Sequence, residues 1–199
     1  VEQVDEYLRP SAAKATYISP SGHFRFTYET TGANAVSATD TNPANGVPDY
    51  VELCAQYMDT SWNTEIDVLG FTAPPTSPYY EVSFEDMGAY GYTQVVSGTT
   101  TRMVLENDFA GFPPNDDPDG DALGAAKVTC AHEFKHASQR ATSLWSEGGW
   151  VELDATWAED VVFDATNDYY NYLTSGSGIT APATSLDGGS TGTGSYEDC

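Results

Sequence analysis

Residues 122–141 read ALGAAKVTCAHEFKHASQRA and residues 150–173 read WVELDATWAEDVVFDATNDYYNYL, with SEGG (146–149) between them. Both stretches carry apolar side chains at three- and four-residue intervals, the spacing at which a helix gathers one apolar stripe. Asp121, just before the first, is the expected N-cap. The second is expected to run as one long helix. Upstream, HFRFTYET (23–30) alternates aromatic and polar residues at period two, and YYEVSFEDM (79–87) and TTRMVLEND (100–108) also look like strands. GAYGYTQVVSG (88–98) reads as the turn region between the last two. YVELCAQYMDTSWNTEIDVLGF (50–71) predicts another helix, with Val51, Cys54, Tyr57, Met58, Trp62 and Ile66 at helical spacing and Gly70 as its stop. Strands first and motif-bearing helices last argue an α+β fold.

The histidines carry the chemistry. His132 and His136 are i and i+4, so on a helix both rings leave one face, and imidazoles on adjacent turns suit a single Zn2+. Glu133, beside the first of them, is placed to act as a general base in the H-E-x-x-H arrangement of zinc peptidases. The third ligand sets the class. Gln139 and Thr142 stand where a metzincin carries Gly and His, and no histidine follows His136. The candidates are therefore Glu147, Glu152, Asp154 and Glu159. Glu152 is the choice: its interval from His136 suits one helix ending, a short turn and a second helix packing back. Glu152, Thr156, Glu159 and Phe163 then share one stripe. Glu159, and with it Asp160, becomes a candidate to orient a histidine or meet a substrate amine, or else belongs to an ordinary solvated acidic face.

HEFKHASQ followed by GGWVELDATWAED resembles a gluzincin. It is especially similar to a family of secreted bacterial metalloproteases that pair an H-E-F-x-H helix with W-x-E-x-x-A-T-W-x-E-D. Trp150, Glu152, Ala155, Thr156, Trp157, Glu159 and Asp160 match the second motif, and SGHFRFTYETTG, NGVPDYVE, NDFAGFPPN and NDYYNYL extend the likeness over most of the chain. The resemblance implies a zincin-like fold, a small mostly antiparallel sheet packed on the H-E-x-x-H helix with the third ligand on a second long helix. It implies His132, His136 and Glu152 as zinc ligands, Glu133 as catalyst and a peptide or protein substrate. Two positions depart from the family pattern: Lys135 stands where an apolar or aromatic residue is usual, and Leu153-Asp154 where small residues are. Family members continue with further helices, so the chain looks shortened. Tyr169, Tyr170, Tyr172 and Arg140 are the available groups for stabilising a tetrahedral intermediate. An extended substrate is expected to pair with an exposed strand edge, TTRMVLEND being the one chosen.

Asp40, Asn42, Asn45, Asp49 and Glu52 surround Gly46 in DTNPANGVPDYVE, a loop resembling a Ca2+ site, where hard oxygen ligands are required. The other reading of this loop is an Asx-rich turn capping the next helix. Asp116, Asp117, Asp119 and Asp121 form a second acidic loop in which a plain turn serves as well. His23 is expected to be structural.

With Asp+Glu 30 against Lys+Arg 7 and a formal charge of -23, nucleic acid is excluded as a natural partner. The apolar runs are too short for a membrane span. Cys54, Cys130 and Cys199 are too few for a disulfide scaffold, though a Cys54–Cys130 pair is open to them. Lysine poverty, Ser/Thr/Gly-rich loops and the calcium-like motifs lean towards a secreted protein, and Val1 towards a processed or trimmed chain. The expected organisation is an N-terminal extension (1–20), a catalytic domain (21–173) with the calcium-like loop at 40–52, and a Gly/Ser/Thr-rich tail (174–199). The alternatives to a peptidase are an inactive metal- or peptide-binding module and a calcium-dependent adhesion protein.

Overall fold

A computed structural model describes residues 14–173; the expected tail and Cys199 lie outside them. The strands are β1 (Lys14–Ile18), β2 (Phe24–Glu29), β3 (Tyr80–Glu85), β4 (Gly91–Ser97) and β5 (Thr100–Glu106). The helices are α1 (Asp49–Trp62), α2 (Asp121–Ser143) and α3 (Trp150–Phe163). The α+β class holds. One five-stranded open sheet runs in the order β1-β2-β3-β5-β4. Its two outer pairings are antiparallel and form the longer ladders, while the two central pairings, β2-β3 and β3-β5, are parallel.

Period-two patterning decides which face of this sheet is covered. Phe24, Phe26 and Tyr28 on β2, and Tyr80, Val82 and Phe84 on β3, are buried, while the residues between them stay half-exposed. On the open face Arg25 makes a two-pronged contact with Glu81, at 2.6 and 3.0 Å. The covered face meets α1 and α2 through Val51, Cys54, Met58 and Trp62 of the first and Ala126, Cys130, Phe134 and Ala137 of the second. Phe134 is the anchor. Its ring lies 5.5 Å from that of Phe24 and 5.6 Å from that of Trp62, edge-on or tilted, an arrangement aromatic quadrupoles favour. Because Phe134 is driven into the core, the side chains two residues to either side of it turn the other way.

Several expectations are corrected here. Residues 14–18, assigned to the extension, pair with β2 as an edge strand. GAYGYTQVVSG is not merely a turn: residues 91–97 form β4, whose Thr93, Val95 and Val96 suit a strand and whose partner β5 follows after a tight Gly98 turn. TTRMVLEND is thereby internal, and β4 rather than β5 carries the free edge. Asp121 is the first residue of α2, with Gly120 at the cap position, and its carboxylate accepts the Asn115 N–H at 3.1 Å. The last helix stops at Phe163. The Asp116 N–H donates to the Thr166 carbonyl and the Thr166 hydroxyl to Asp117, which tie the chain to the acidic loop. It then resumes as a single 3-10 turn, Asp168–Tyr172. After α1 the chain widens into a π-helical turn, Asn63–Val68, before Gly70 (φ +78°) ends it. Cys54 and Cys130 are free thiols in the core, and burial pushes the Cys130 thiol up. His23 stacks on Trp62 with ring centroids 3.8 Å apart. No helix among the described residues is long and apolar enough to cross a membrane.

Candidate metal centre

His132 and His136 leave α2 on the face away from Phe134 and meet α3. The turn between the helices is tight because Leu144 and Trp145 both take left-handed backbone angles (φ +61° and +62°), and the Trp145 indole N–H donates to the His136 carbonyl at 2.8 Å. Helix α3 then runs back along α2: Gln139 meets Val151 and Asp154, His136 meets Glu152, and His132 meets Glu159. Every one of these pairings couples a later α3 residue to an earlier α2 residue, which defines an antiparallel hairpin.

Three donor atoms converge at its middle. His132 Nε2 lies 3.1 Å from His136 Nε2, and each lies 3.2 Å from Glu152 Oε2. The other ring nitrogens fix what these atoms offer. His132 Nδ1 donates to Glu159 Oε1 at 2.6 Å. His136 Nδ1 donates to Gln139 Oε1 at 2.9 Å, while the Gln139 amide N–H groups are committed to the Val151 carbonyl and Asp154. With hydrogens on both Nδ1 atoms, the two imidazoles in their neutral, metal-binding form and a carboxylate would present three lone pairs to one point. Among the described residues this is the one group of three His, Cys, Asp or Glu side chains able to hold a metal ion. A tetrahedral Zn2+ with bonds of roughly 2.0–2.1 Å spaces its ligands about 3.3–3.4 Å apart, within a few tenths of an ångström of this triangle. The donor set and spacing fit zinc.

The electrostatics point the same way. Burial alone would depress the affinity of His132 for a proton, but Glu152 and Glu159 reverse this and hold its pKa well above the ordinary histidine value. Burial likewise pushes Glu152 up, and the two histidines outweigh it, keeping its carboxyl far below the usual range. The triangle attracts positive charge.

Glu133 lies on the same helix, 7% exposed, and its Oε2 is buried without a hydrogen-bond partner. Its backbone carbonyl accepts the Thr93 hydroxyl at 2.7 Å, which ties β4 to the site. Histidines, Glu133, Glu152 and Glu159 all line one cleft of about 630 Å3, bounded by Tyr90, Gly91 and Tyr92 on one side and by Thr156, Tyr169 and Tyr172 on the other. Asp160 is not among the lining residues and faces Tyr169. Of the groups expected to stabilise an intermediate, Tyr169 and Tyr172 border the cleft. Arg140 is turned away to the Gly98 and Leu144 carbonyls, and Tyr170 is half-exposed outside it. Gly91 carries no motif signal, and its part in the cleft, like that of Asp168, is visible only once β4 and the 3-10 turn are in place.

The loop at 40–52 is built otherwise. The Asp40 carboxylate accepts the Asn45 and Gly46 N–H groups, Asp49 accepts the Thr41 and Asn42 N–H groups and the Thr41 hydroxyl, and Asn45 donates to Glu52. No side-chain hydrogen bond engages Asn42 among the described contacts. Hydrogen-bond acceptance by these oxygens makes an Asx-turn network ahead of α1. In the second loop Lys127 binds Asp117 at 2.8 Å and Asp119 at 2.7 Å.

No family model matches the chain, and neither the curated proteins nor the solved structures yield a match.

Proposed function

We propose that this protein is a secreted zinc-dependent metallopeptidase of gluzincin type, with a zincin-like fold. One observation carries the reading: two Nε2 lone pairs and one carboxylate oxygen converge at 3.1–3.2 Å with an unpartnered carboxylate, Glu133, on the same cleft wall. His132, His136 and Glu152 would hold the ion. Zinc, when bound, supplies the Lewis acidity that makes a water nucleophilic near neutral pH and polarises a peptide carbonyl. Glu133 accepts the proton of the attacking water and delivers it to the leaving amine, the two-way role of a carboxylate freed from other hydrogen bonds. Glu159 and Gln139 keep each Nδ1 protonated and so each Nε2 bare.

Elemental analysis of purified protein is expected to give about one zinc per chain. Hydrolysis of an unfolded protein substrate is expected to stop on chelation, to return with zinc, and to be lost in Glu133→Gln with zinc retained. Zinc without hydrolysis would make the chain a metal-binding module, and no zinc would end the proposal.

A further inference from the structure

The cleft carries an unbalanced negative charge. Glu133, Glu152, Glu159 and Asp168 line it, and among the described residues no Lys or Arg does. Six of the seven Lys and Arg residues lie in the described part of the chain. Lys14 and Arg25 pair with carboxylates on the sheet, Lys127 with the acidic loop and Lys135 with Asp154. Arg102 binds Gln94, and Arg140 binds backbone carbonyls.

Asp168 is 3% exposed. It accepts from the Tyr90 hydroxyl and, at 3.5 Å, from Asn115, both neutral donors. The Tyr172 hydroxyl donates to that of Tyr90 at 3.0 Å, so a short phenol chain ends on the carboxylate. A desolvated carboxylate held only by neutral donors is costly, and an incoming cation relieves that cost. Tyr90, Tyr169 and Tyr172 line the same cleft, and aromatic rings attract cations. A second observation also points to a ligand: the Thr156 hydroxyl, 7% exposed on the same cleft, has no partner.

We infer that the cleft selects peptides by an internal Lys or Arg side chain, whose charge is received at Asp168 between Tyr90, Tyr169 and Tyr172. This rests on the peptidase reading for its substrate class. The test compares N-acetylated, C-amidated peptides carrying arginine or its neutral isostere citrulline next to the scissile bond. Arginine is expected to exceed citrulline in kcat/KM by at least about tenfold, as loss of a buried charged contact implies. The ratio should fall towards one in Asp168→Asn and decrease in Tyr169→Ala, a variant that leaves the buried carboxylate in place. A ratio near one in the unmodified protein, a ratio unchanged in both variants, or hydrolysis only of peptides with a free amino terminus overturns the inference. If no peptide is cleaved, the peptidase reading fails alone, and titration with agmatine decides the cation site. Tyrosine fluorescence should then change on binding in the unmodified protein and not in Asp168→Asn, and absence of any change overturns it.

Discussion

Replacing Glu159 by Gln is expected to weaken zinc binding without disturbing the fold. Glu159 touches no metal in the proposed arrangement; it accepts the His132 Nδ1–H at 2.6 Å with a side chain only 12% exposed. A glutamine oxygen still accepts that hydrogen, so what is lost is the charge. Hydrogen bonds to charged groups contribute about 1.5–3 kcal/mol and neutral ones about 0.5–1.5 kcal/mol, a difference of about 1–1.5 kcal/mol. The zinc dissociation constant should therefore rise about five- to tenfold. Glu159→Ala removes the acceptor altogether, frees the imidazole to change tautomer, and should cost about 10- to 100-fold, the usual range for the partner of a ligand histidine. Competition against a chromophoric chelator at neutral pH measures both, with circular dichroism confirming that the helices persist. Equal affinity in the parent and both variants would refute the argument that the Nδ1 partner sets the donor character of His132.

Asp117→Asn tests the acidic loop. Burial pushes Asp117 up, but Lys127 and Thr166 outweigh it and hold its carboxyl below the usual range, while Lys127 is raised by Asp117 and Asp119 against its own burial. The stability from Asp117 is thus present above its unfolded pKa and lost as pH falls through the lowered folded value; that from Lys127 is lost only as pH rises through its raised value. The variant should lose about 2–4 kcal/mol at pH 7 and show a flatter acid limb in urea melts, because the half-buried Lys127 keeps only the exposed Asp119 as a charged partner. Gly91→Ala places a Cβ 2.8 Å from both the Thr129 methyl and the Val104 carbonyl oxygen. The backbone oxygen cannot give way, so the start of β4 should lift from α2, lowering stability by about 1–3 kcal/mol in denaturant titration and reducing hydrolysis with it. Asp40 and Asp49 accept hydrogen bonds from the loop itself, whereas Glu52 Oε2 is buried without a partner; an unchanged thermal midpoint with a calcium chelator that spares zinc is the outcome for a self-satisfied turn, and a fall of several degrees that for a calcium site at Asp40, Asn42, Asn45, Asp49 and Glu52.

What could be read from the sequence follows the range of each signal. Helical spacing brought out α2 because its apolar stripe faces an aromatic core, and i, i+4 spacing placed His132 and His136 together. Glu152 followed from loop length alone, since a hairpin of helices leaves few places for a partner. β4 escaped because its alternation is short: exposure alternates from Gly91 to Gln94 and then Val95–Ser97 are all exposed, so its stability comes from pairing with β5. The early end of α3 escaped for a similar reason. Nothing within 150–173 breaks a helix, and the interruption comes from Thr166 bonding to a loop some fifty residues earlier. Asp40 and Asp49 show the limit of composition: a run of Asx residues specifies many oxygens but not which of them accept backbone N–H groups, as these two do.

Lys135 and Asp154 are partners. Lys135 stands between the two candidate ligands on α2, is 2% exposed, and reaches Asp154 Oδ2 at 3.1 Å with its ammonium over the Phe71 ring. Gln139 donates to the same oxygen at 3.0 Å while accepting the His136 Nδ1–H. One carboxylate therefore joins the buried cation to the residue that orients His136, and sits two positions after Glu152 on the helix that bears it. Behind Lys135, the π-helical turn holds Glu65, fully buried with neither oxygen hydrogen-bonded, and burial pushes its carboxyl up against the pull of Lys135. A lysine in that position would be costly alone. Paired with Asp154 it becomes a clamp between α2 and α3, and the separation of those helices is what fixes the 3.2 Å sides of the donor triangle.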